Sequence, residues 1–512
     1  MVLLLQPTSI LYLRMSILKF FFILTLGAQP AFANNRFDYQ HVVSAAQKLA
    51  AAPYAAPPRI PDFLRNISYD AFRDIRFKPE RTLWAGPTSR FGVQLIHLGL
   101  YFHNPVAINI VDAKGIQRLP FSTDLFTYGR NTFKDQIPPN LGFAGLRITY
   151  PLNNLNEQNH VLVFAGASYF RGVARNQVFG LSARGLAIDT GLPTGEEFPY
   201  FREFWVEKPD PKARRMRLHA LLDSESVTGA YRFDVYPGDQ TIIDVTVTLF
   251  ERKRPKLMGW APLTSMFYYG ESKARPAGHW RPEVHDSDGL LLWSGTGEWL
   301  WRPLTNPERL LINSFEVEGL KGFGLLQRDR DFAHYEDLEA RYDLRPNAWI
   351  VPKGDWGKGE VRLVQIPAKN EINDNIVAFW TPRGPLPPSG KPIEFSYRIY
   401  FHSREPGGLD RGRTLATWVG DGEEKGSKRV IIDFAGRSLA ALPENAPIQG
   451  IVTIGTDGKL IQQNVQKNPV TGGWRLAFQV IPPKGKPLEL RAFLQHDKVA
   501  LTETWSYILT ET

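Results

Sequence analysis

Residues 231–249 read YRFDVYPGDQTIIDVTVTL. Tyr231–Val235 and Thr241–Leu249 place apolar residues, many of them β-branched, at every second position, and Pro237, Gly238 and Asp239 break the run between them. A period of two is that of a strand with one face buried. Working outward, short runs rich in Val, Ile, Tyr, Phe and Trp recur at Val106–Val111, Arg147–Tyr150, His160–Phe164, Leu290–Ser294 and Ile393–Tyr400. Helical patterns are few. Tyr39–Ala52 has a helical apolar period and stops at Pro53, and Ser68–Ile75 offers Ser68 as N-cap with Asp70 in the first turn. Many short strands without interleaved helices predict a mainly β fold, a β-sandwich rather than an α/β sheet.

The chain of 512 residues has an ordinary hydrophobic share of 43%, which excludes wholesale disorder, and it contains no cysteine. Disulfides, thiolate zinc sites, iron–sulfur clusters and a Cys nucleophile are therefore excluded. The formal charge of +9 comes from Lys and Arg dispersed among acids, as in ERKRPK at 251–256, and not from a basic stripe, so no nucleic-acid partner is expected. Lys19 followed by the apolar run to Gly27, with Ala31-Phe32-Ala33 behind it, reads as a Sec-type signal peptide over 1–33, cleaved after Ala33. Met15 serves as well as Met1 for its start, and an uncleaved signal anchor is the alternative reading. The run is too short for a membrane span, so a periplasmic chain with no transmembrane segment after signal removal is expected.

A Pro/Gly cluster at 382–392 precedes one more strand, and HSREPGGLDRGR at 402–413 reads as an interdomain linker. The expected domains are thus 34–401 and 414–512. The second carries seven strand candidates, Thr414–Val419, Arg429–Asp433, Gln449–Thr453, Lys459–Gln466, Trp474–Val480, Leu488–Leu494 and Thr504–Leu509, a count that fits an immunoglobulin-like β-sandwich.

Chemistry concentrates between about 260 and 380. Tyr268, Tyr269, Trp280, Trp293, Trp299 and Trp301 lie in sequence beside Glu271, Glu283, Asp286, Asp288 and Glu298. Flat aromatic faces next to carboxylates suit sugars, although strand aromatics equally serve as core, and Asp-Ser-Asp-Gly is a good turn. Glu371 and Asp374 precede a strand at Ile376–Trp380 and so fall at a sheet rim. The glycines at 354–359 lack phosphate-loop spacing, Ser168 lacks the nucleophile-elbow pattern, and the ten His show no paired spacing. No metal and no cofactor are expected.

FDYQHV (37–42), GASYFR (166–171), FGLSARGLAIDT (179–190), RPEVHDSDGL (281–290), GEWLWRPL (297–304), GFGLLQR (322–328), DFAHYEDLEARYDLRPNAWIVPKGDWGKG (331–359) and NDNIVAFWTP (373–382) resemble the periplasmic glucan biosynthesis protein G family, whose paralogue is the D protein. The Sec-type leader favours the G branch. The resemblance covers essentially the whole chain after the leader. It implies a large galactose-mutarotase-like β-sandwich joined to a C-terminal immunoglobulin-like β-sandwich, and a role in making osmoregulated periplasmic glucans with a β-1,2-linked glucose backbone. It also implies β-1,2-glucanase chemistry, with Asp286 and Asp374 in the two acidic positions.

Inverting glycoside hydrolysis needs a carboxylic acid and a carboxylate on opposite faces of the sugar. On that scheme Asp374 is the general acid, assisted by Glu371. Asp286 is the general base, acting directly or through a water or substrate hydroxyl, and Asp288 is the reserve. Tyr268, Trp299, Trp301, Arg302, Tyr335 and Trp356 are candidate glucose contacts, each equally readable as packing. Two functions fit: a β-1,2-glucan hydrolase, or a non-catalytic scaffold holding glucan for an inner-membrane glucosyltransferase during elongation or branching.

Overall fold

The structure is a computed structural model that describes residues 37–84, 89–407 and 411–510. The signal-peptide reading of 1–33 lies outside the described residues, as does 408–410 within the linker. The period-two reading at 241–249 holds in detail. Ile243, Val245, Val247 and Leu249 are fully buried on one face of the strand Thr241–Glu251, which pairs antiparallel with Val227–Tyr236 on one side and Ile393–His402 on the other. These strands sit in the middle of a fifteen-stranded sheet among the described residues. A ten-stranded sheet faces it, with Met258–Ser265 flanked by Ile376–Pro382 and by Ser182–Arg184 and Leu186–Ile188. Leu146, Phe164, Leu263 and Ala378 of the smaller sheet and Phe204, Phe233, Val245 and Ile399 of the larger share one apolar core. The protein is therefore mainly β, built as packed sheets.

Helix Tyr39–Ala50 is capped by Asp38, whose side chain accepts from the His41 amide. It lays Val42 and Ala46 on Leu221, Ala230 and Phe250, covering the outer side of the larger sheet. Ser68 caps helix Tyr69–Arg73 by accepting from the Ala71 amide.

All seven strand candidates beyond residue 413 form strands. Arg413–Asp421, Lys428–Ala435, Trp474–Ile481 and Lys459–Lys467 make a four-stranded sheet. Gln449–Ile454, Leu488–His496 and Thr504–Leu509 belong instead to the fifteen-stranded sheet, because Thr504–Leu509 runs parallel to Trp299–Pro303 with Trp505 opposite Trp301. A second apolar cluster joins Trp299, Trp301 and Trp349 to Leu476, Leu490 and Trp505. Indole rings lie flat over strand glycines here: a Cβ on Gly289 would stand 2.3 Å from Trp301, and one on Gly322 would stand 2.4 Å from Trp349.

Candidate functional site

Met258–Ser265 is buried along its whole length, and the ladder around it divides just beyond Ser265. On one edge the Asn375 amide donates to Ser265 O (3.0 Å), while the Asn375 side chain accepts from the Phe267 amide (2.8 Å) and donates to Phe267 O (2.9 Å). On the other edge the Asp286 amide donates to Met266 O (2.8 Å). Successive carbonyls of a strand point to opposite sides, so Asp374 and Asp286 flank residues 265–267, about two strand spacings or roughly 10 Å apart at the backbone. Eighty-eight residues of sequence separation are closed by this one segment.

The Asp286 carboxyl is buried. Arg345 Nη1 lies 2.8 Å from its Oδ1, off the hydrogen-bonding direction, as an ion contact. Burial pushes the Asp286 pKa up; Arg345 opposes this, the Asp374 charge adds to it, and Arg171 opposes it. The two carboxylates thus act on each other. Asp374 keeps 25% of its side chain exposed, with Arg171 Nη2 3.6 Å from its Oδ2. Arg171 is steadied by Ser182, whose hydroxyl accepts from its Nε (2.8 Å). Nearby, Arg184 stands 4.9 Å over the Tyr169 ring, and Asp374 is among the charges acting on that tyrosine.

Arg345 also donates to Ala340 O and stacks over Tyr342 at 4.8 Å. The Tyr342 hydroxyl donates to Glu371 Oε2 (3.0 Å), which pairs with Arg281 (2.7 Å), and Arg281 pairs with Asp337 (2.9 Å). This chain ties the 337–345 loop to the segment leading into Asp374. Glu371, expected to assist Asp374, gives its carboxylate to Tyr342 and Arg281.

Asp288 accepts from the amides of Arg328 and Asp329 and lies 3.2 Å from His285 Nδ1; burial pushes its pKa up to about 6. It holds the 328–329 turn and does not contact Asp374 or Arg345. Tyr268 is part-exposed, and its hydroxyl donates to Lys369 O (2.8 Å). The other five expected sugar contacts are buried. Tyr335 bonds Gln327 and Asp329 O, and Trp356 meets Trp260 edge-on and donates to Ser396 O. Trp299 stacks between Trp293 and Trp349, Trp301 lies 3.6 Å under the Arg328 guanidinium, and Arg302 reaches Glu489, Ser506 and Asn313. Their strands turn these side chains toward packed neighbours, which sequence spacing does not reveal. Trp280, by contrast, is 64% exposed, with Arg281 beside its ring.

Sequence reasoning missed Arg171, Arg281, Tyr342 and Arg345. No local pattern marks them, because each acts only through contacts made by folding. Where the 283–285 segment meets the 329–334 turn, Glu283, Asp329 and His334 bring possible metal-donor atoms within 4.8 Å of one another.

Fold and site together define a mainly β protein with two mutually interacting carboxylates beside one strand of the smaller sheet. The chain belongs to the family described as "Periplasmic glucan biosynthesis protein, MdoG", which matches residues 37–509. It is 44% identical over 496 residues to Glucans biosynthesis protein G of Pectobacterium atrosepticum, with 94% of each chain covered.

Proposed function

We propose that this chain works in the periplasm in the making of osmoregulated periplasmic glucans, and that it cuts their β-1,2-linked glucose backbone by inverting hydrolysis. The observation that carries this reading is the placement of Asp374 and Asp286 on opposite edges of residues 265–267, each within reach of the other's charge. Inverting acid pairs stand roughly 6.5–9.5 Å apart, which leaves room for a water.

Accessibility divides the roles. Asp374, part-exposed, can meet a glycosidic oxygen directly and give it a proton as the C–O bond breaks. Asp286, buried behind Arg345, acts through a relay. The attacking water adds to the anomeric carbon, and its proton passes by a second water or a substrate hydroxyl to the Asp286 carboxylate. A raised pKa makes Asp286 the stronger base, while Arg345 keeps it ionised. Trp280 offers an open ring face for a glucose unit at the rim. Residues 414–512 act as the immunoglobulin-like module, and the membrane glucosyltransferase that extends the glucan is the partner upstream.

The test is reducing-end release from linear β-1,2-glucan. Wild type is expected to release ends, and Asp374→Asn and Asp286→Asn are expected to lose about 10²-fold or more, the scale of general acid–base catalysis. Tight glucan binding without turnover, unaffected by either change, would replace hydrolysis with the scaffold role.

A further inference from the structure

Glu283 is buried at the end of the short segment that carries His285, and its Oε2 accepts from His285 Nε2 (2.8 Å). His285 is itself fixed through Nδ1, 2.9 Å from Gln327 Oε1. Opposite stands Asp329, whose amide donates to Asp288 (2.7 Å) and whose carbonyl accepts from Tyr335. His334 follows five residues later with Nδ1 2.5 Å from Asp329 Oδ2. These contacts hold the Glu283 and Asp329 carboxylates in place before any ligand arrives.

Glu271 supplies an independent sign. Its side chain is largely buried, yet its carboxyl has no hydrogen-bond or ion-pair partner among the described residues. It stands near enough to Glu283, Asp288 and Asp329 for their charges to act on it. Four carboxylates therefore converge, with His285, His334 and the Arg330 guanidinium among the charges that offset them. A carboxyl set among like charges without a partner is relieved either by taking up a proton or by a cation joining the cluster.

We propose that Glu283, Asp329 and His334 bind one divalent transition cation, Mn²⁺ or Zn²⁺. Donors on one ion with bonds of about 2.1 Å stand about 3–4 Å apart, so donor atoms already within 4.8 Å of one another need only side-chain adjustment of about an ångström to close on it. Two carboxylate oxygens and one imidazole nitrogen, with solvent completing the shell, suit Mn²⁺ and Zn²⁺; Ca²⁺ and Mg²⁺ prefer oxygen throughout. The His334 side chain is 53% exposed and gives an ion a path from solvent. The bound ion would pin the 329–335 turn to the segment carrying Asp286. The site is separate from the Asp286–Asp374 pair, so it stands or falls independently of the hydrolytic reading.

The experiment uses the full chain stripped with EDTA and dialysed, titrated with MnCl₂ while the free Mn²⁺ electron paramagnetic resonance signal is followed, and with ZnCl₂ in a calorimeter. One saturable ion per chain is expected, with Zn²⁺ displacing Mn²⁺ and Ca²⁺ failing to do so. Asp329→Asn and His334→Ala should each weaken binding by about tenfold or more, the scale seen when even the outer partners of a metal site are lost. Far-UV circular dichroism confirms that the His334→Ala chain is folded, as expected for so exposed a side chain. Absence of saturable binding, unchanged affinity in both the Asp329→Asn and His334→Ala chains, or Ca²⁺ bound as tightly as Mn²⁺ would overturn the proposal.

Discussion

Arg345→Met isolates the electrostatics of the candidate base. The guanidinium lies 2.8 Å from Asp286 Oδ1, and the two side chains are only 16% and 7% exposed. Two unit charges about 4 Å apart interact by about 4 kcal/mol at an effective dielectric constant near 20. Stripping one partner from a buried pair typically costs about 3–5 kcal/mol. The other charges acting on Asp286 are Asp374, Arg171 and His285; Arg171 and His285 remain as partial compensation, so a loss of about 3 kcal/mol is expected at pH 7.5.

Asp286 already has a raised pKa in the folded chain, and removing Arg345 raises it further, so the folded state binds the proton over a window where the unfolded state has released it. Stability from such a group is present below the unfolded value near 3.8 and is lost as pH rises through the folded value. Protonating Asp286 at pH 5 costs at most about 1.5 kcal/mol, so the variant's deficit should shrink to about that size there. Urea unfolding followed by tryptophan fluorescence at pH 7.5 and pH 5 measures both values. Adding Asp286→Asn should restore most of the loss, giving a coupling of about 2 kcal/mol. An equal deficit at both pH values, or strict additivity in the double variant, would refute the reasoning.

Burial depresses His97 to about 4, and burial with the Arg330 and Arg404 charges does the same to His402. Between pH 6.5 and 4 the unfolded chain binds protons that these rings refuse, so each should remove up to about 3 kcal/mol of stability across that window and none below it; urea midpoints for wild type and His97→Phe check this. Gly289→Ala puts a methyl 2.3 Å from Trp301 and should cost about 1–3 kcal/mol by overpacking, read as a lowered midpoint at unchanged slope. Glu503→Ala leaves the buried Arg328 guanidinium with Glu405 as its remaining carboxylate and should cost about 3 kcal/mol, whereas Glu503→Gln, which retains an acceptor for Arg328, should cost less.

Much of this architecture is legible in the sequence because alternation reports burial directly. Thr241–Leu249 alternates since Ile243, Val245 and Val247 face one core, and the candidates beyond 413 stand out for the same reason. Alternation does not say which strand lies alongside, so the parallel pairing of Trp505 with Trp301, which carries C-terminal strands into the larger sheet, has no sequence signature. Aromatic density was likewise ambiguous. Trp299 and Trp301 sit in an acid-rich stretch that resembles a sugar site, yet they pack against Trp349, Arg328 and the C-terminal strands. Asp286 and Asp374 could be singled out by motif. Their shared strand edge, and the Arg345–Tyr342–Glu371–Arg281 chain, exist only once distant loops meet.

The stereochemistry of cleavage tests the paired-acid account most directly. Proton nuclear magnetic resonance during the first turnovers on linear β-1,2-glucan reports the configuration of each new reducing end before it equilibrates. Inverting hydrolysis gives the α-anomer first in wild type and no new ends with Asp374→Asn. A β-anomer appearing first, or undiminished cleavage in the variant, would contradict it.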